Sequence, residues 1–63
     1  MDWIKFGKKM REARESRGLS QKDIARLLGV SDAFISQVEN GKKKVNVDNL
    51  IKISKVLDLN ILG

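Results

Sequence analysis

The sequence predicts an all-α fold, a compact bundle of four to five short helices, on three observations. Apolar residues recur at three- and four-residue steps through most of the chain. Breaks between these stretches are marked by Gly or by polar capping residues, since the chain has no Pro. No run of clean two-residue alternation is bounded by hairpin turn residues, which removes strands.

The elements follow in order. Asp2 caps a first helix on which Trp3, Phe6, Gly7, Met10, Ala13 and Arg14 form one packing stripe, and this helix should end near Arg17 and Gly18. Ser20, with Asp23 three residues on, opens a second helix whose apolar side is Ile24, Ala25, Leu27 and Leu28. Gly29 ends it. Val30 and Ile35 then bracket Ser31 as a hydrophobic staple around an N-cap, and Gly41 closes the third helix. The device recurs at Val45, Asn46 and Leu50, opening a fourth helix with Leu50, Ile51, Ile53, Ser54 and Leu57. Leu59, Ile61 and Leu62 read as a final short turn or helix folding back on the core.

Within this order, residues 21–40 have the spacing of a helix-turn-helix unit. Ala25 stands where two short helices must approach closely, Gly29 where the chain must leave the first with φ > 0, and Ile35 and Val38 where the second needs an apolar seam.

At 63 residues the chain reads as a single domain spanning 1–63, close to the lower limit for a core without a disulfide or metal. Lacking Cys and His, it can form no disulfide, no zinc site of the usual kind, and no thiol or imidazole catalytic centre. No pair of carboxylates stands apart from basic neighbours, so an enzyme is not expected and no cofactor is implied. No apolar run reaches the roughly 20 residues of a membrane span, and the N-terminus lacks a signal-peptide pattern; the expected location is the cytosol.

The net charge of +5 favours an acidic partner, and nucleic acid is the usual one for a small basic domain. Its distribution is more telling. Residues 31–41 carry no basic side chain and two acidic ones, whereas Lys42, Lys43 and Lys44 follow immediately.

On the third helix, at about 100° per residue, Phe34, Ile35 and Val38 fall on one side and Asp32, Ala33, Ser36, Gln37 and Asn40 on the other. Short uncharged side chains are poor solubilisers but let a helix come close to another surface. In a DNA major groove Gln pairs with an adenine edge, Asp accepts from a cytosine amino group, Ser serves several bases and Ala touches a thymine methyl. Structural roles compete at some positions: Ser31 as an N-cap, Asp32 at the positive end of the helix, Phe34 as core. The lysine run, which could be only a solvated loop, would lie along the sugar-phosphate backbone if this helix entered the groove, and Asn40 and Gln21 could add neutral phosphate donors.

These residues resemble the phage repressor and Cro-type helix-turn-helix family, the Xre-like regulators with the lambda-repressor-like fold. The resemblance runs from Gly7 to about Leu59. It rests on Gly7, Met10 and Arg14, on Gly18-Leu19-Ser20-Gln21, Ile24-Ala25, Gly29-Val30-Ser31, Ile35-Ser36 and Glu39-Asn40-Gly41, and on Leu50 with Leu57. It implies sequence-specific binding of double-stranded DNA by a recognition helix at about residues 31–40, in a transcriptional repressor of bacterial or phage origin.

Position by position, it further implies base reading by Asp32, Ala33, Ser36 and Gln37, phosphate contacts by Gln21, Ser31 and Asn40, and an ion pair between Arg14 and Glu39. Members bind operator half-sites as dimers, which implies a homodimer built from Leu59, Ile61, Leu62 and Trp3. Two departures bear on this: Val45 stands where many relatives have Pro, and a fifth helix has only Leu59 to Gly63 to form from. The alternative function is a protein-interaction module, such as an antitoxin that also binds DNA, for which exposed apolar surface at Trp3, Leu59, Ile61 and Leu62 would speak.

Overall fold

Each helix starts at the side chain that the sequence supplies for it. The computed structural model describes residues 1–60, and among these the chain forms α1 (Trp3–Ser16), α2 (Gln21–Leu28), α3 (Asp32–Glu39) and α4 (Val47–Leu57), with no strand. Asp2 Oδ1 accepts from the amides of Ile4 and Lys5 at 3.0 and 3.1 Å. Ser31 Oγ accepts from the Phe34 amide at 3.0 Å, and Asn46 Oδ1 from the Asn49 amide at 2.8 Å. At α2 the capping is reciprocal: the Asp23 amide donates to Ser20 Oγ at 3.0 Å and the Ser20 amide to Asp23 Oδ2 at 2.9 Å. The bond from the Ser20 amide, with the Ser20 hydroxyl beside it, holds the Asp23 carboxyl below its usual range. Each cap satisfies amides that have no partner inside the helix and is worth about 1 kcal/mol.

The helix ends are less uniform. Gly29, at φ 71°, turns the chain out of α2 while the Val30 amide reaches back to the Ala25 carbonyl at 2.9 Å. This left-handed residue sets the angle between α2 and α3, so the helix-turn-helix depends on it. α4 ends on Asp58 at φ 53°, a left-handed position without a glycine that the sequence pattern did not mark. A short polar side chain tolerates this region better than most. Arg17, at the end of α1, donates to the Leu57 carbonyl at 3.3 Å, so one helix terminus ties down another.

Met10, Ile24, Ile35 and Ile53, one from each helix, have no exposed surface and form the centre of the core. α3 packs against α1 and α2, and α4 packs against the same two helices. Two of the expected apolar positions face outward instead. Leu27 is 61% exposed and Ile51 is 44% exposed. The buried arc of α2 spans Ile24, Leu28 and Ala25, and Leu27 falls about 60° beyond its edge; Ile51 stands about 160° from Ile53 on α4.

α1 approaches α3 closely at Gly7, where a β-carbon would meet the Val38 and Glu39 carbonyl oxygens at 2.5 and 2.6 Å. Of the expected apolar C-terminal surface, Trp3 is half-buried, packed edge-on against Phe6 at 5.8 Å between ring centroids, and Leu59 is half-buried against the core. Leu59 and Asn60, the first residues of the expected final turn or helix, are in no helix, and the rest of it, with Ile61 and Leu62, lies outside the described residues.

Candidate nucleic-acid interface

α3 presents a polar face because Ile35 and Val38 commit its other side to the core. Ser31, Asp32, Ala33, Gln37 and Asn40 are exposed, and Ser36 is half-buried. The eight residues of α3 make a rod about 12 Å long, comparable to the width of a DNA major groove. Ser31 spends one acceptor site on the Phe34 amide and keeps its hydroxyl hydrogen for another partner. Asp32 lies in the first turn, where the helix dipole favours its charge.

Lys42, Lys43 and Lys44 are all exposed and leave directly from the C-terminal end of α3. The Lys42 amide bonds the Gln37 carbonyl at 2.9 Å, which anchors the start of the run to the helix. Lys43 Nζ sits 5.4 Å from the centroid of the Phe34 ring, so half-buried Phe34 both packs on the core and holds a loop cation beside α3.

Behind this face lies a polar network centred on Glu39, whose side chain has no exposure. Arg14 Nε donates to Glu39 Oε2 at 2.7 Å and Arg14 Nη2 to Oε1 at 3.0 Å, a two-pronged pair between α1 and α3. Arg14 Nη1 also donates to the Leu19 carbonyl at 2.8 Å, tying in the segment before α2. Gln21 Nε2 donates to Glu39 Oε1 at 3.1 Å, so the side chain expected to reach phosphate commits one amide hydrogen to this network.

Burial alone would push the Glu39 carboxyl up, but hydrogen bonds from Arg14, Gln21 and Arg11 and the charge of Arg14 outweigh it and hold the group below the usual carboxylate range. The bond to Glu39 likewise pushes the Arg14 guanidinium up. Both charged forms are therefore favoured together.

Arg11 is a member that the sequence reading missed. Its Nε donates to Glu39 Oε1 at 3.4 Å and its Nη2 to Asn40 Oδ1 at 3.3 Å. The available signal was its place three residues before Arg14, which puts two guanidinium groups on one face of a helix.

Among the described residues no group of His, Cys, Asp and Glu could hold a metal ion, and no helix is long and apolar enough to cross a membrane.

The helix-turn-helix family model matches residues 10–62. The chain is 37% identical over 59 residues to the control protein C.MunI from a Mycoplasma species, a match covering 92% of this chain and 80% of that one. It is 32% identical over 53 residues to an HTH-type transcriptional regulator from Sinorhizobium fredii, covering 84% of this chain. It spans only 27% of that longer regulator. Among solved structures it is similar to the restriction-modification controller protein C.AhdI from Aeromonas hydrophila, with 37% identity, a TM-score of 0.85, and coverage of 94% of this chain and 89% of that one.

Proposed function

Because the chain belongs to the Cro/C1-type helix-turn-helix family of DNA-binding transcription regulators, we propose that it controls transcription by occupying an operator, with α3 in the major groove. The single observation carrying this reading is the exposed row Asp32, Ala33 and Gln37 on a helix whose other side is buried and whose end runs into three exposed lysines. Uncharged and acidic side chains read base edges, while the lysines supply sequence-independent attraction.

In this reading Asp32, Ala33, Ser36 and Gln37 contact bases, and Gln21, Ser31, Asn40, Lys42, Lys43 and Lys44 contact phosphates. The Arg14–Glu39 pair holds α3 at the angle both sets require. Repression follows from the operator competing with polymerase, a homodimer reads paired half-sites, and the protein acts in the cytoplasm, without catalysis.

Selection of bound duplexes from a random DNA pool tests this reading, followed by anisotropy titration of the winners at several salt concentrations. An enriched palindrome is the expected result; steep salt dependence with no enriched sequence would remove sequence-specific regulation. Gln37→Ala is expected to weaken the selected site by about 1 to 3 kcal/mol and to leave binding to unrelated duplexes nearly unchanged. An equal loss on both would count against base readout. Lys43→Ala should weaken all duplexes alike and flatten the salt slope by about one unit.

A further inference from the structure

Glu39 is one buried carboxylate bonded by two guanidinium groups. Arg14 neutralises it, with two bonds of 2.7 and 3.0 Å and almost no exposed side-chain surface. Arg11 is different. Its contact with Glu39 is 3.4 Å long and 45% of its side-chain surface remains open, so it adds a positive charge that the network does not need for neutrality.

The donor count points the same way. A guanidinium has five N–H groups. Arg11 uses one on Glu39 and one on Asn40, and the remaining three find no acceptor among the described residues. Its bond to Asn40 also has a consequence for that side chain. With Oδ1 turned to Arg11, the Asn40 amide nitrogen keeps both of its donors. Gln21, bonded to the same Glu39 Oε1 as Arg11, keeps one. The result is a cluster of unspent N–H donors with a surplus cation, drawn from α1, the start of α2 and the end of α3; one carboxylate oxygen holds Arg11 and Gln21, and Arg11 holds Asn40.

We propose that Arg11 is a direct contact to the DNA backbone, forming with Asn40 and Gln21 a cradle for one phosphate group. The proposal rests on the operator reading above and adds a residue of α1 to it. A guanidinium suits this task because its fork matches two phosphate oxygens, and because Glu39 and Asn40 fix its orientation before the phosphate arrives. Arg11 thereby couples α1 to the register of α3 on the duplex. Its loss should reduce affinity without altering which bases are preferred.

The test uses the whole chain and two fluorescein-labelled duplexes, one selected from the random pool and one of unrelated sequence, titrated across a salt series. Arg11→Ala is expected to lower affinity for both duplexes by a similar factor and to flatten the plot of log affinity against log salt by about one unit. Arg11→Lys should restore the slope, since one cation suffices to displace one counterion, while recovering only part of the affinity because the fork is gone. Arg11→Met, which keeps the aliphatic stem, replaces the alanine variant if thermal melting shows that Ala disturbs the fold.

A folded Arg11→Ala or Arg11→Met protein with the unaltered slope would overturn the proposal and leave Arg11 as a structural brace for Glu39. Failure of the unaltered protein to bind either duplex would remove the operator reading, and this contact with it. Binding by the unaltered protein with no change in the variant's slope removes the contact alone.

Discussion

Glu39→Ala is expected to unfold much of the protein at physiological temperature. The substitution strips a buried guanidinium of its bidentate partner and also takes an acceptor from Gln21 and Arg11. Removing one member of a buried ion pair costs about 3 to 5 kcal/mol, chiefly because the other charge stays behind uncompensated. The low end applies here, since Arg11, which contacts the carboxylate, is itself 45% exposed and admits solvent once the carboxylate is gone. At about 0.05 to 0.15 kcal/mol per residue, a loss of about 3 kcal/mol is a large part of the stability available to a chain of 63 residues. Urea unfolding followed by circular dichroism measures it; a midpoint within experimental scatter of the unaltered protein would show that the pair contributes little.

The same group predicts an acid limb. A carboxyl whose folded pKa is depressed contributes stability that is present above its unfolded value and is lost as pH falls through the folded one. Glu39 is depressed, so the melting temperature should hold down to about pH 4 and decline below it. Asp23, depressed in the same direction by its capping bonds, adds to that decline. In Glu39→Gln the remaining acid sensitivity should be visibly shallower. Parallel curves for the two proteins would mean that Glu39 titrates alike in the folded and unfolded states.

The second large effect is expected at Gly7, where the sign runs against helix propensity. In an exposed helix, replacing Gly by Ala stabilises by about 1 kcal/mol. At Gly7 the added methyl would stand 2.5 and 2.6 Å from two backbone carbonyl oxygens of α3, and neither can move without shifting the helix. Relief requires α1 and α3 to separate, which lengthens the Arg14–Glu39 bonds and opens the core beside Met10. Overpacking of this kind costs about 1 to 3 kcal/mol, and the rigid partners here place Gly7→Ala at the upper end. Because the displaced atoms belong to Val38 and Glu39, the variant should also lose DNA affinity at temperatures where it remains folded. A higher melting temperature for Gly7→Ala would falsify the close approach of the two helices.

The pattern of apolar and capping residues was enough to locate the four helices. Asp2, Ser20, Ser31 and Asn46 act within three residues of themselves, and Gly29 acts on its own φ angle. Such short-range chemistry is written in local order and can be read there. The polar row of α3 was legible for a similar reason, since helical periodicity alone separates Gln37 from Val38.

Tertiary structure decided what depends on partners distant in the chain. Leu27 and Ile51 look apolar enough to be core, but the arc that each helix buries is chosen by its neighbours. Asp58 adopts a glycine-like conformation in a turn whose preceding carbonyl is bonded by Arg17, 40 residues earlier. Arg11 acquired its place beside Asn40 and Glu39 only when α1 was laid across the end of α3, a juxtaposition of residues 28 and 29 positions apart. By itself, then, the sequence determined helices, caps and an exposed polar face on α3, because those follow from the nearest few residues. Which side chains share one carboxylate, and which apolar ones remain outside, was decided by packing, because those outcomes depend on distances between helices that no local pattern contains.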